Sequence, residues 1–255
     1  MAQSIEIPKA NGGLLHAVHY KRDPKQIQDP IVIFCHGFSG DKYECERFTQ
    51  AAEAFNLAGI DVILFDFSGS GENDREPVLL STQINDLEIV YQWVQQQGYR
   101  RIGTLGLSFG GYTALLAKLP ERKAAVFWAP AFYMIYIIGK TNIKLAKIIR
   151  FFKKRIYRKC SGNTPPIFIT YDFIKELTEI GLPHTQLADF TTPALIIQGL
   201  TDTDVRPEYS RDAYAHMPPD AQHKLLELPD CNHMFEGENT TKAIQASVKW
   251  FQNYL

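Results

Sequence analysis

The chain has 255 residues, 27 Lys and Arg against 28 Asp and Glu, and 45% hydrophobic residues. That length can bury a full core in one domain, and 12% aromatic residues exclude a disordered chain. A formal net charge of -1 argues against a nucleic-acid partner, and the longest apolar run, Val126 to Ile138, is broken by Pro130 and too short to span a bilayer.

Two short runs, Ser4 to Ile7 and Leu14 to Tyr20, flank Asn11-Gly12-Gly13 and read as a β-hairpin. The opening residues lack the basic segment and apolar stretch of a secretory leader. Ile31 to Cys35 is a continuous apolar strand of the kind buried on both faces. Tyr43 to Ala58 carries apolar residues at helical spacing and stops at Gly59. Asp61 to Phe65 is the next strand, followed by a Gly/Ser loop, then a helix marked by Ile84, Leu87, Val90, Tyr91 and Val94 and ended by Gly98. Ile102 to Leu107 and Ala124 to Trp128 are strands around a helix over Tyr112 to Lys118. Late in the chain, strands Ala194 to Gln198 and Lys224 to Leu228 precede helices Pro207 to His216 and Thr241 to Leu255. About eight strands alternating with helices predict a mainly parallel α/β sheet in one domain.

The segment 131–190 breaks this rhythm and reads as an insertion into a core formed by 1–130 and 191–255. Between Ala131 and Tyr171 lie nine Lys and Arg and no Asp or Glu, which leaves the rest of the chain at a net of -10. Leu145, Ile148, Ile149, Phe152 and Ile156 fall on one helical face, with Lys147, Arg150, Lys154 and Arg158 away from its centre. The spacing predicts a basic amphipathic helix. As a lid it would cover a substrate pocket; contact with anionic membrane or with a phosphate-bearing substrate are the other expectations. Phe132, Tyr133, Tyr136 and Tyr171 are candidate pocket residues, against the plainer role of packing.

The sharpest chemical signal is Gly106-Leu107-Ser108-Phe109-Gly110. Chance supplies only about 0.04 such Gly-x-Ser-x-Gly pentapeptides in a chain of this composition, and this one lies between a strand and a helix. That is the setting of a nucleophile elbow, which lifts a serine hydroxyl to the N-terminus of a helix. A serine needs a base. His233 follows the last strand, where it can reach the crevice at the strand ends. His16 and His19, three apart on a predicted strand, point to opposite faces and cannot share a metal. The carboxylate that orients the imidazole is Asp202 or Asp204, in the loop after the 194–198 strand, with Asp202 favoured by its closeness to the strand. The amides of Phe38 and Phe109 are the candidate oxyanion donors, and His36 reads as a side chain that ties down its own loop.

With these residues in hand the chain resembles the α/β-hydrolase family. His36-Gly37-Phe38, Asp66-Phe67-Ser68-Gly69-Ser70-Gly71, Gly106 to Gly111, Gly199 to Val205 and Asn232-His233 stand in family order. Gly199-x-x-Asp202-x-x-Val205 matches the family's acid-loop pattern and puts Asp202 in the acid position. The likeness implies an eight-stranded, mainly parallel sheet with a helical lid after the sixth strand. It also implies a Ser108-Asp202-His233 triad and ester hydrolysis without metal or cofactor. Within the family the chain is most similar to bacterial cinnamoyl and feruloyl esterases and small carboxylesterases. It departs from them at Phe109, where they carry Gln, and in the basic lid, which sets substrate class. The expectation is a small-molecule ester as substrate, with lipid or thioester hydrolysis through the cationic lid as the alternative. A non-catalytic binder on the same fold is the reading from another class. Four cysteines, Cys35, Cys45, Cys160 and Cys231, form no CxxC pair, so reduced thiols and a cytoplasmic location are expected.

Overall fold

The computed structural model describes residues 2–23, 29–139, 153–156 and 166–255. Strands β1 (Ala2–Pro8) and β2 (Leu14–Tyr20) form the expected antiparallel hairpin, with Ile7 opposite Leu15. The Lys9 and Gly13 backbones close its turn. Then come β3 (Ile31–Cys35), β4 (Asp61–Phe65), β5 (Ile102–Leu107) and β6 (Ala124–Trp128), all buried along their length. After the insertion the sheet ends with β9 (Ala194–Gly199) and β10 (His223–Leu228). The strand order is β1-β2-β4-β3-β5-β6-β9-β10. β2 runs antiparallel to β4, and every pair from β4 to β10 is parallel. Parallel strands need crossovers, so helices coat both faces, which is why β3 to β6 carry apolar residues without alternation.

The crossovers between β3 and β6 are α1 (Arg47–Leu57), α2 (Leu80–Gln96) and α3 (Phe109–Leu116), and α8 (Glu238–Tyr254) follows the last strand. Gly59 and Gly98 take the left-handed conformation that ends α1 and α2, at φ 86° and 100°. Apolar side chains fill the space on each side of the sheet: Phe34, Phe48 and Phe55 on one, Phe65, Phe67, Tyr91 and Phe127 on the other. Helix α1 begins four residues later than its apolar spacing predicts. Glu44, Cys45 and Glu46 are all left-handed (φ 47°, 54° and 66°), a conformation that no right-handed helix can include.

The segment between β6 and β9 is only partly described. It contains α4 (Met134–Ile138), a two-stranded antiparallel sheet of β7 (Lys153–Ile156) and β8 (Ile167–Thr170), α5 (Tyr171–Ile180) and α6 (His184–Ala188). The expected amphipathic helix therefore does not run through 153–156. There the backbone pairs with β8, and extended pairing excludes helical hydrogen bonds. Leu145, Ile148, Ile149, Phe152 and Arg158, with Lys147 and Arg150, lie outside the described residues. The remaining helix, α7 (Pro207–His216), links β9 to β10. Cys35 and Cys231 are free and buried, but Cys45 is disulfide-bonded, so the reduced-thiol expectation fails at that position; Cys160 lies outside the described residues. Among the described residues no helix is long and apolar enough to cross a membrane.

Candidate active site

Ser108 sits between β5 and α3 with φ 52° and ψ -116°, a costly conformation for a residue with a side chain. Its surroundings hold it there. The Ser108 N–H donates to Trp128 O at 2.8 Å, and its carbonyl accepts from the Gly111 and Ala131 amides at 3.0 and 2.9 Å. The flanking glycines have a steric reason. A Cβ at Gly106 would lie 2.6 Å from Gly111 Cα, and one at Gly110 would lie 2.2 Å from the Cys35 carbonyl oxygen.

The loop after β3 comes up against this turn. A Cβ built at Gly37 would stand 3.5 Å from Ser108 Cβ, so the Phe38 backbone passes close to the serine. Neither the Phe38 nor the Phe109 N–H donates to a protein acceptor among the described residues, which leaves both for a ligand. His36 has the structural role expected of it. Its Nδ1 donates to Gly37 O at 2.9 Å and its Nε2 accepts from the Phe67 N–H at 3.0 Å, which defines one tautomer. Phe38 and Phe109 also touch Phe173 of α5, stacked on the first at 5.5 Å and edge-on to the second at 5.7 Å.

Opposite lie the acid and the imidazole. His233 Nδ1 donates to Asp202 Oδ2 at 2.7 Å. The Asp202 carboxylate is fully buried and well supplied with donors: the Asp204 and Val205 amides reach Oδ1 at 2.9 and 2.8 Å, and Gln198 Nε2 reaches Oδ2 at 3.2 Å. Of the two aspartates left open by the residue pattern, Asp202 is the one bonded to the imidazole, while Asp204 supports Asp202 through its backbone. Gln198 is itself fixed by Ser210 Oγ at 2.7 Å and by the Val205 carbonyl at 3.1 Å. The residue pattern alone does not single out Gln198; its signal is a polar side chain directly after the apolar run Leu195-Ile196-Ile197 and before Gly199.

Ser108 and His233 line one cavity of about 440 Å³, without a direct hydroxyl–imidazole hydrogen bond. Such bonds are often long until a substrate is bound. Phe38, Met134, Ile137 and Val205 give the cavity apolar walls, and Glu44 and Arg47 also reach it. The four aromatic residues expected on its wall are not there. In α4, Met134 and Ile137, three apart, face the cavity, which turns Tyr133 and Tyr136 to the other side, where they stack at 6.1 Å. Phe132 packs edge-on against Phe127 at 5.1 Å, and Tyr171 packs against the core.

Among the described residues, one group could offer three metal-ligand atoms within 4.8 Å of one another: His184, Asp212 and His216. The two imidazoles stack at 4.0 Å with planes 7° apart, so their nitrogens lie in parallel planes and do not converge on a point. None of the three lines the Ser108 cavity.

A family model described as alpha/beta hydrolase fold matches residues 30–127. An uncharacterized 31.7 kDa protein of the traX-finO intergenic region of Escherichia coli is 21% identical over 276 residues, covering 94% of this chain and 96% of that protein. Est1E from Butyrivibrio proteoclasticus, solved with ferulic acid bound, superposes with a TM-score of 0.76 at 19% identity, over 97% of this chain and 99% of that one. A monoacylglycerol lipase from Paleococcus ferrophilus superposes with a TM-score of 0.77 at 17% identity, over 94% and 98%. Sheet order, elbow and these likenesses agree: the chain has the α/β-hydrolase fold.

Proposed function

We propose that the chain is a serine hydrolase that cleaves carboxylic esters through an acyl-enzyme. The observation that carries this reading is the His233–Asp202 hydrogen bond of 2.7 Å beside the cavity that holds Ser108 on its strained turn. Ser108 Oγ attacks the ester carbonyl while His233 Nε2 takes its proton. The Phe38 and Phe109 amides receive the oxyanion. His233 then protonates the leaving alcohol, and water attacks the acyl-enzyme by the same route in reverse. Asp202 keeps the proton on Nδ1, so that Nε2 is the basic nitrogen, and stabilises the imidazolium as it forms. The apolar walls suit aromatic or short-to-medium acyl groups, a preference in keeping with the ferulic acid held by Est1E.

A second reading, hydrolysis of lipid or thioester substrates, draws on the nine basic residues between Ala131 and Tyr171 and on the likeness to a monoacylglycerol lipase. Initial rates on short-chain, long-chain and hydroxycinnamate esters, with and without anionic vesicles, separate the two. The Cys45 disulfide favours work in an oxidising setting over the cytoplasm expected from the sequence. Covalent labelling by a fluorophosphonate, lost in Ser108→Ala, tests the nucleophile. A folded protein that resists labelling would revive the non-catalytic binder.

A further inference from the structure

We infer that Glu44 and Arg47 form a buried clamp that holds the oxyanion loop and the histidine loop in mutual register, which makes both positioning residues for the reaction at Ser108. The inference rests on the hydrolase reading above.

The clamp has three contacts. Glu44 Oε1 accepts the Gly37 N–H at 2.5 Å, Glu44 Oε2 accepts from Arg47 Nη2 at 2.9 Å, and Arg47 Nη1 donates to Met234 O at 2.9 Å. One end therefore grips the residue before Phe38 and the other the residue after His233. Both side chains are more than nine-tenths buried, and both reach the Ser108 cavity.

Peptide planarity turns this grip into control of an oxyanion donor. The Gly37 carbonyl and the Phe38 N–H belong to one plane and point in opposite directions. The carbonyl is held by His36 Nδ1 and by the Gly40 N–H at 3.0 Å, while Glu44 holds the N–H on the other side of Gly37. With both flanks of Gly37 fixed, the Phe38 N–H has a fixed direction. The carboxylate also accounts for Gly40, where a Cβ would lie 2.2 Å from Glu44 Oε1.

Two features weigh against a role in stability alone. A buried ion pair is a weak stabiliser, and here Arg47 Nε is buried with no partner. The backbone that delivers the pair is strained at Glu44, Cys45 and Glu46, three consecutive left-handed residues without a glycine. Strain of this kind persists where the surroundings over-determine it, and it clusters at functional sites. In the sequence the pair falls within the apolar spacing of an ordinary helix, so nothing marks it before the fold is known.

The test uses Glu44→Gln, Arg47→Lys and the double variant Glu44→Gln/Arg47→Met on a short-chain nitrophenyl ester. Removing one oxyanion donor outright costs about 10² to 10³ in kcat. Misaiming one through the clamp should lower kcat about 10- to 100-fold with KM within roughly threefold. An alkylboronic acid, which mimics the tetrahedral adduct, should lose affinity in the same proportion. The double variant removes both charges together, so it should keep the fold while showing the kcat loss, and it decides the case if a single variant does not fold. Wild-type hydrolysis with variants that keep kcat within twofold overturns the clamp, as does a loss carried by KM alone, which would mean that Arg47 binds substrate directly. A wild-type protein that neither hydrolyses esters nor takes a fluorophosphonate at Ser108 overturns the hydrolase reading, and the clamp with it.

Discussion

Phe38 and Phe109 meet edge to face, their ring centroids 5.6 Å apart and their planes at 89°. These are the two residues whose amides are proposed to receive the oxyanion, and in that reading the side chains brace the donors that the backbones present. Phe173 of α5 completes the contact and is 1% exposed. Phe173→Ala should destabilise the protein by about 3 to 5 kcal/mol, the usual cost of emptying a buried aromatic site. It should also lower kcat more than it raises KM. Urea unfolding and steady-state kinetics on one preparation check both.

Asp202→Asn should leave the fold intact and lower kcat about 10⁴-fold, because an amide no longer holds the proton on Nδ1 of His233. Asp204 serves Asp202 through its backbone N–H, which Asp204→Asn keeps, so that substitution should cost roughly tenfold or less. Equal losses in the two variants would contradict the assignment of the acid.

Ser108→Gly should abolish turnover and raise stability. Glycine relieves the strain at φ 52° and ψ -116°, an expected gain of about 1 kcal/mol after its own entropic cost. A thermal midpoint about 2 to 4 °C above wild type is the expected reading. A midpoint below wild type would show that the turn carries no strain.

His19 lies far from the cavity and should shape the acid limb of stability. Burial lowers its pKa to about 4, with Lys21 adding to the effect and Asp61 opposing it. Tyr99 donates its hydroxyl proton to Asp61 at 2.6 Å, so it accepts from His19 Nε2 at 3.1 Å, and the imidazole is neutral. An unfolded chain takes up a proton near pH 6.5 while the folded chain does not. The stabilisation is therefore complete above that pH and is lost as the pH falls toward 4. Between pH 8 and 5 the loss is about 2 kcal/mol. His19→Gln should flatten the urea midpoint over this range relative to wild type.

The sheet was legible because each of its parallel strands is a continuous apolar run between turn residues, and such runs have few other fates. The elbow was legible because Gly106 and Gly110 meet a steric demand that any sequence bearing this turn must meet. What was not legible depends on contacts between distant residues. The left-handed turn at Glu44 to Glu46 exists in company with a bond from Gly37, seven residues earlier. The phase of α4, which sends Met134 inward and Tyr136 outward, is set by packing that the apolar pattern of Met134-Ile135-Tyr136-Ile137-Ile138 does not encode. The preference for Asp202 over Asp204, by contrast, could be read from its place in Gly199-x-x-Asp202-x-x-Val205, and the 2.7 Å bond to the imidazole agrees with it.

Because no atom fits between Gly110 and the end of β3, the turn bearing Ser108 and the loop bearing Phe38 are seated on a shared foundation. Neither can be shifted to suit a new substrate without shifting the other. Retailoring of selectivity, by evolution or at the bench, is thus steered to the side walls at Ala131, Met134, Ile137 and Thr203. Exchanges at those walls can alter which molecules enter while leaving the Ser108 turn and the Phe38 loop as they stand.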